Sequence, residues 1–208
     1  MLGRRSFGRL SLGGLIAAAA LAFTSVAVSA TSSVITLSGS EFYATPTNAS
    51  GDSTGYFAGT ATTSTTSGMW MAAVDHGPLP TDLYCTGVIN SGNFSLALAN
   101  GSQVSGTLAT TSTTTMPSGS SSTCGSSLPT SPNSGITLTS NSSCSSRPWV
   151  VTTQTFEVYD KLASLSGSGA AGYTSGIVEV TLTHYQMKIW GSCQTIGASV
   201  AGTLTLSS

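Results

Sequence analysis

Beyond Ala30 the apolar residues of this chain fall in short runs rich in Val, Ile, Thr, Tyr, Phe and Trp, each bounded by Gly, Asn, Ser or Pro. No segment of helical length carries an apolar stripe at the 3.6-residue period; residues 158–165 could form two turns at most. A chain built this way can bury its apolar side chains only as strands. The runs are Val34 to Leu37, Glu41 to Ala44, Gly55 to Thr62, Met69 to Val74, Leu83 to Ile89 and Phe94 to Ala99. They continue with Gln103 to Thr110, Ile136 to Thr139, Trp149 to Tyr159, Ile177 to Trp190 and Ser199 to Leu206. Their spacing predicts an all-β domain over residues 31–208, an antiparallel sandwich or flattened barrel of roughly ten strands.

Two local patterns sharpen that expectation. Asn100-Gly101 between alternating runs is a hairpin signal of the type I′ kind, because both residues tolerate positive φ. In the run Ile177 to Trp190 the apolar parity flips, from Val178, Val180 and Leu182 to Tyr185, Met187 and Ile189. A strand cannot exchange its buried face without a bulge or bend, so the chain is expected to kink, or to change sheets, near Thr183 to Tyr185.

Residues 110–144 are of another material, nearly all Ser and Thr with Pro117, Pro129 and Pro132. Such a segment lacks the apolar surface to offset its ordering entropy, and reads as a surface insertion in a single domain. The four cysteines allow three pairings. Cys124 with Cys144 and Cys85 with Cys193 is the favoured one, since the first pair brackets the polar segment and the second ties the two halves together. No C-x-x-C occurs and there are only two histidines, so a structural zinc site is not expected, nor any other metal or cofactor.

Residues 1–30 carry an address. Arg4, Arg5 and Arg9 precede the glycine-diluted apolar stretch from Leu10 to Val28, and Val28-Ser29-Ala30 closes it as a cleavage site. Arg4-Arg5-Ser6-Phe7 resembles a twin-arginine export signal, which implies a prokaryotic cell and a secreted or cell-surface product beginning near Thr31. No second hydrophobic run follows, so no membrane span is expected in the exported part. Four cysteines suit that oxidising destination.

Charge narrows the function. From Thr31 onward three basic residues face seven acidic ones, so no attraction to nucleic acid or to anionic lipid by net charge is expected. Serine and threonine replace the usual charged surface.

Catalytic signals are sparse. Gly51-Asp52-Ser53-Thr54-Gly55 satisfies G-x-S-x-G and resembles the nucleophile segment of trypsin-like proteases, with Thr54 where a glycine belongs. A small serine hydrolase would order its triad as Ser53, Asp160 and His184. Yet a nucleophile elbow needs a helix after the serine, and Tyr56 onward reads as strand; the segment is read as a turn.

The large amphipathic rings supply the preferred hypothesis. Trp149 and Tyr159 are the candidate ligand-binding residues, Trp149 because it follows Arg147-Pro148 where a strand is only beginning, whereas Trp70 and Trp190 are expected in the core. The expected function is a non-enzymatic envelope or extracellular module that binds a polymer such as polysaccharide, binds another envelope component, or self-associates.

Overall fold

The computed structural model describes residues 31–83, 85–115, 118, 124, 127–129 and 134–208. The export leader at 1–30 lies outside the described residues. The strands are β1 (Ser32–Ala44), β2 (Ser53–Thr62), β3 (Ser67–His76), β4 (Thr86–Gly87), β5 (Ile89–Leu98), β6 (Gln103–Thr107), β7 (Thr113–Thr115), β8 (Ser127–Pro129), β9 (Ser134–Asn141), β10 (Thr152–Lys161), β11 (Ser175–Ile189) and β12 (Ser192–Ser207). Among the described residues the only helical element is the single 3-10 turn Ser168–Ala170.

Ten strands make one curled antiparallel sheet in the order β4-β9-β10-β11-β12-β1-β2-β3-β5-β6, and β7 pairs only with β8. The concave face holds the core: Ile35, Leu37, Trp70, Phe94, Leu96, Ile136, Leu138, Phe156, Leu182 and Leu204 are all buried there. The period-two alternation of each strand puts these residues on one face and the hydroxyl-bearing ones on the other.

A curled sheet still has edges, and exposed edges invite aggregation. Here the chain leaving β10 crosses to β6: Ala109 N–H donates to the Lys161 carbonyl at 2.7 Å, Ala163 N–H to Thr107 at 2.8 Å, and Ser105 and Ser166 exchange bonds at 2.9 and 2.8 Å. Leu108 and Leu162 meet at this seam, both buried. Beside it Thr111 links β5 to β9, its hydroxyl accepting from Ile89 N–H at 2.9 Å and donating to the Ser134 carbonyl. The half-barrel is thereby drawn together along part of its open side.

The tight curl between β1 and β2 depends on two glycines set opposite each other, Gly39 and Gly59. A Cβ on Gly39 would run into the Ala58 carbonyl oxygen, and one on Gly59 into that of Ser38. Gly59 is also directly across from Trp70. The indole therefore lies past the glycine, donates to the Ser38 carbonyl at 3.0 Å and stacks on Phe94 with centroids 6.0 Å apart.

Several expectations are corrected. Val34 to Leu37 and Glu41 to Ala44 belong to one strand, with a register shift between Glu41 and Tyr43. Within Leu83 to Ile89 only Thr86–Gly87 is a strand before β5 begins at Ile89. At the β5–β6 hairpin Gly101 alone has positive φ, 85°, and Asn100 instead accepts from Ser102 N–H at 3.0 Å through its side chain. Inside residues 110–144, the expected strand run Ile136 to Thr139 extends to Ser134–Asn141 and carries buried Ile136 and Leu138.

The parity flip in β11 has a different cause from a kink in that strand. β11 stays in one sheet, and the register shift falls at Tyr185/Gln186, where β12 carries the extra residue, Ile196. Tyr185, next to buried His184, faces outward where it pairs with Thr153, and Met187 and Ile189 occupy a part of the β11–β12 hairpin that runs past the last β10 pair at Gln186. No core lies beneath it to enforce the inner face.

The disulfides are Cys85–Cys124 and Cys144–Cys193, with Cα atoms 5.1 and 6.1 Å apart. The favoured pairing of Cys124 with Cys144 and Cys85 with Cys193 is overturned. Cys193 sits at the far end of the overrunning hairpin, level with the chain that leads into β10, while Cys85 lies at the β4 edge beside the polar segment. Position in the sheet, and not proximity in sequence, chose the partners.

Candidate functional site

Four ionisable side chains face the otherwise apolar interior: Glu41, His76, Asp160 and His184 line a void of about 40 Å³ together with Phe57, Trp70, Phe94 and Val200. That volume admits a few water-sized spheres and no organic ligand. His184 Nε2 is 3.1 Å from Glu41 Oε2, and its ring meets Phe156 edge-on at 5.5 Å. His76 donates through Nδ1 to the Gly77 carbonyl at 2.6 Å. Asp160 is buried without a hydrogen bond to Oδ1, and directly across from it on β9 stands Ser134, whose hydroxyl is also buried and unpartnered. Burial raises the Asp160 carboxyl from its ordinary 3.8 to about 7.

Ser53, Asp160 and His184 make no hydrogen bonds to one another. Ser53 opens β2 and donates its hydroxyl to the Thr45 carbonyl at 2.7 Å. His76 stands across from it, yet no hydrogen bond joins the two. Asp160 pairs with Val178, six residues along β11 from His184. At roughly 3.3 Å per residue that is about 20 Å, too far for a carboxylate to orient the imidazole. The Asn48-to-Asp52 segment is a turn closed by its own side chains, with Asn48 Oδ1 accepting from Ser50 and Asp52 N–H at 2.8 and 2.9 Å. Among the described residues no group of three or more His, Cys, Asp or Glu side chains is placed to hold a metal ion.

The convex face offers a different surface. Over β9, β10, β11 and β12 runs a groove of about 520 Å³ lined by Thr86, Thr137, Glu157, Tyr159, Glu179 and Thr181 with Gly135, Ala201 and Gly202 as its small residues. Tyr159 is directly opposite Glu179, and Glu157 lies two residues along the same strand on the same face. Tyr159 is 36 % exposed, and the only ion pair among the described residues is the one between His184 and Glu41. A phenol ring flanked by two carboxylates and three threonine hydroxyls can stack on a flat ligand and accept its hydrogen bonds.

Trp149 belongs elsewhere. It precedes β10, is 81 % exposed and has φ of 75°. Between it and Tyr159 lies most of β10, so the two expected ligand-binding residues cannot share one platform. Trp70 is buried, but Trp190 is fully exposed at the β11–β12 turn, against the expectation of a core residue. Trp190 and Gly191 both have positive φ, 47° and 86°, the backbone of a two-residue type I′ turn, which lifts the indole away from any core.

Sequence reasoning missed Glu157 and Glu179 as companions of Tyr159. Their strand parity is legible, but their meeting depends on the β10–β11 register. No protein-family model, curated protein or solved structure matches the chain.

Proposed function

We propose that this chain is a secreted, non-enzymatic β module that binds a carbohydrate polymer in the convex groove around Tyr159. The observation that carries the reading is the direct opposition of Tyr159 and Glu179, with Glu157 beside them, in a groove large enough for sugar units. Sugar rings present an apolar face to an aromatic and a rim of hydroxyls to nearby acceptors, and the groove supplies both. Gly135, Ala201 and Gly202 keep the adjacent wall low, so an extended chain can pass without meeting large side chains. The export-signal pattern in residues 1–30 and the two disulfides fit a place outside the cytoplasm.

Affinity electrophoresis against soluble neutral and acidic polysaccharides tests the reading. Retardation by at least one polymer is expected, and Tyr159→Ala should weaken it by about 1 to 3 kcal/mol, the range for an aromatic anchor, while leaving the melting temperature unchanged. No retardation by any polymer, or retardation indifferent to Tyr159→Ala and Glu179→Gln, would refute it.

A further inference from the structure

The few positive charges of this chain are not scattered. Of the three basic residues after Ala30, Arg147 lies two residues before Trp149 and Lys188 two residues before Trp190. Both tryptophans project beyond the last β10–β11 pair, Thr152 with Gln186, at the same end of the sheet. The Cys144–Cys193 disulfide fastens their two segments together. Val150, Val151, Ile189 and Ile196, in the same two segments, are exposed as well. Residues 142–151 and 185–198 contain no Asp or Glu, although acidic residues outnumber basic ones from Thr31 onward. Among the described residues neither Arg147 nor Lys188 makes an ion pair.

The backbone adds a second, independent observation. Trp149 and Trp190 are the only non-glycine residues described with positive φ. Bulky L residues rarely occupy that region, and both here hold an indole out into solvent.

We propose that this end of the barrel docks on an anionic lipid bilayer surface. The indoles and the neighbouring Val and Ile side chains enter the headgroup layer, and Arg147 and Lys188 meet lipid phosphates. Tryptophan favours that interfacial layer because its ring is apolar and its N–H is polar. One cation two residues before each indole matches an anionic headgroup. The attraction is local: net charge is negative, but the acidic groove at Glu157 and Glu179 lies on the convex face of β10 and β11, well along both strands from this end. The inference is independent of carbohydrate binding at Tyr159.

The test uses the disulfide-bonded protein with vesicles of phosphatidylcholine alone and of phosphatidylcholine mixed with phosphatidylglycerol, with bromine-labelled acyl chains as quenchers. Cosedimentation is expected only with the mixed vesicles, with quenching of indole emission and release at high salt. Replacing Arg147→Gln together with Lys188→Gln should weaken binding about thirtyfold, from roughly one kcal/mol per basic residue. Trp149→Ala with Trp190→Asn should remove the quenching, leaving buried Trp70 as the unquenched remainder. Asn tolerates positive φ, so the turn survives, and unchanged melting temperatures confirm that each variant is folded. Absence of vesicle binding, equal binding to phosphatidylcholine alone, or binding to an anionic polysaccharide without any to vesicles overturns the proposal. So does quenching that persists in the double tryptophan variant.

Discussion

His184 on β11 reaches across β12 to Glu41 on β1, with Nε2 3.1 Å from Oε2. The strand between them presents Ala198, which is paired with His184 and too small to separate the two side chains. Both partners are largely buried, so the bond fastens three adjacent strands from inside the barrel. Glu41→Ala leaves the imidazole without its partner and should lower unfolding free energy by about 1 to 3 kcal/mol. A double-mutant cycle with His184→Ala in urea checks it: coupling below about 0.5 kcal/mol would show the contact to be incidental.

Asp160 makes stability depend on pH in the direction opposite to most carboxylates. Its pKa is about 7 folded against 3.8 for an ordinary aspartate, so between those values the folded protein holds a proton that the unfolded chain has released. Its contribution is whole below about pH 4 and is lost as pH rises through about 7, a fall on the order of 4 kcal/mol at most. Asp160→Asn should flatten this dependence and stabilise the protein at alkaline pH. Urea unfolding of both proteins on either side of that window decides it.

Trp70 combines packing with a hydrogen bond, and the two can be separated. Trp70→Phe keeps an aromatic against Phe94 but leaves the Ser38 carbonyl without its donor, at a cost of about 1 to 3 kcal/mol. Trp70→Ala empties the site and should cost about 3 to 5 kcal/mol. Calorimetry that found the two variants equally destabilised would place the whole contribution elsewhere.

Non-reducing peptide mapping should recover Cys85 linked to Cys124 and Cys144 linked to Cys193. Replacing Cys144 and Cys193 together by Ser should cost up to about 4 kcal/mol on the loop-entropy model. Because the end of the β11–β12 hairpin overruns the core, amide exchange should accelerate first around residues 187–195.

Ser53 spends its hydroxyl on the Thr45 carbonyl. A fluorophosphonate probe should therefore leave the protein unlabelled, since no hydrogen bond joins Ser53 to His76 across the strand pair and an unactivated hydroxyl is a weak nucleophile. Labelling that disappears in Ser53→Ala would restore the hydrolase reading.

Much of the fold was legible before any coordinate. Runs such as Ile136 to Thr139 and Met69 to Val74 became β9 and β3, because a half-buried strand declares itself through side chains that its own few residues carry. The buried place of Trp70 was legible too, although flanking Met69 and Met71 turned outward with the strand's alternation. Trp190 was misplaced for a reason that alternation cannot reveal: apolar residues in β11 continue past the point where the sheet still has a core beneath it.

From residues alone came the all-β class, the turn at Asn48 to Asp52 that precedes Ser53, and the approximate strand positions, all properties of neighbours in the chain. Tertiary structure alone decided that Glu41 would meet His184, that Glu179 would face Tyr159, that Asp160 would be buried opposite Ser134, and which cysteines would join. Each of those depends on strand order and register across many intervening residues. Register is chosen collectively, by the closure that buries the largest apolar face, so no local stretch of sequence contains it.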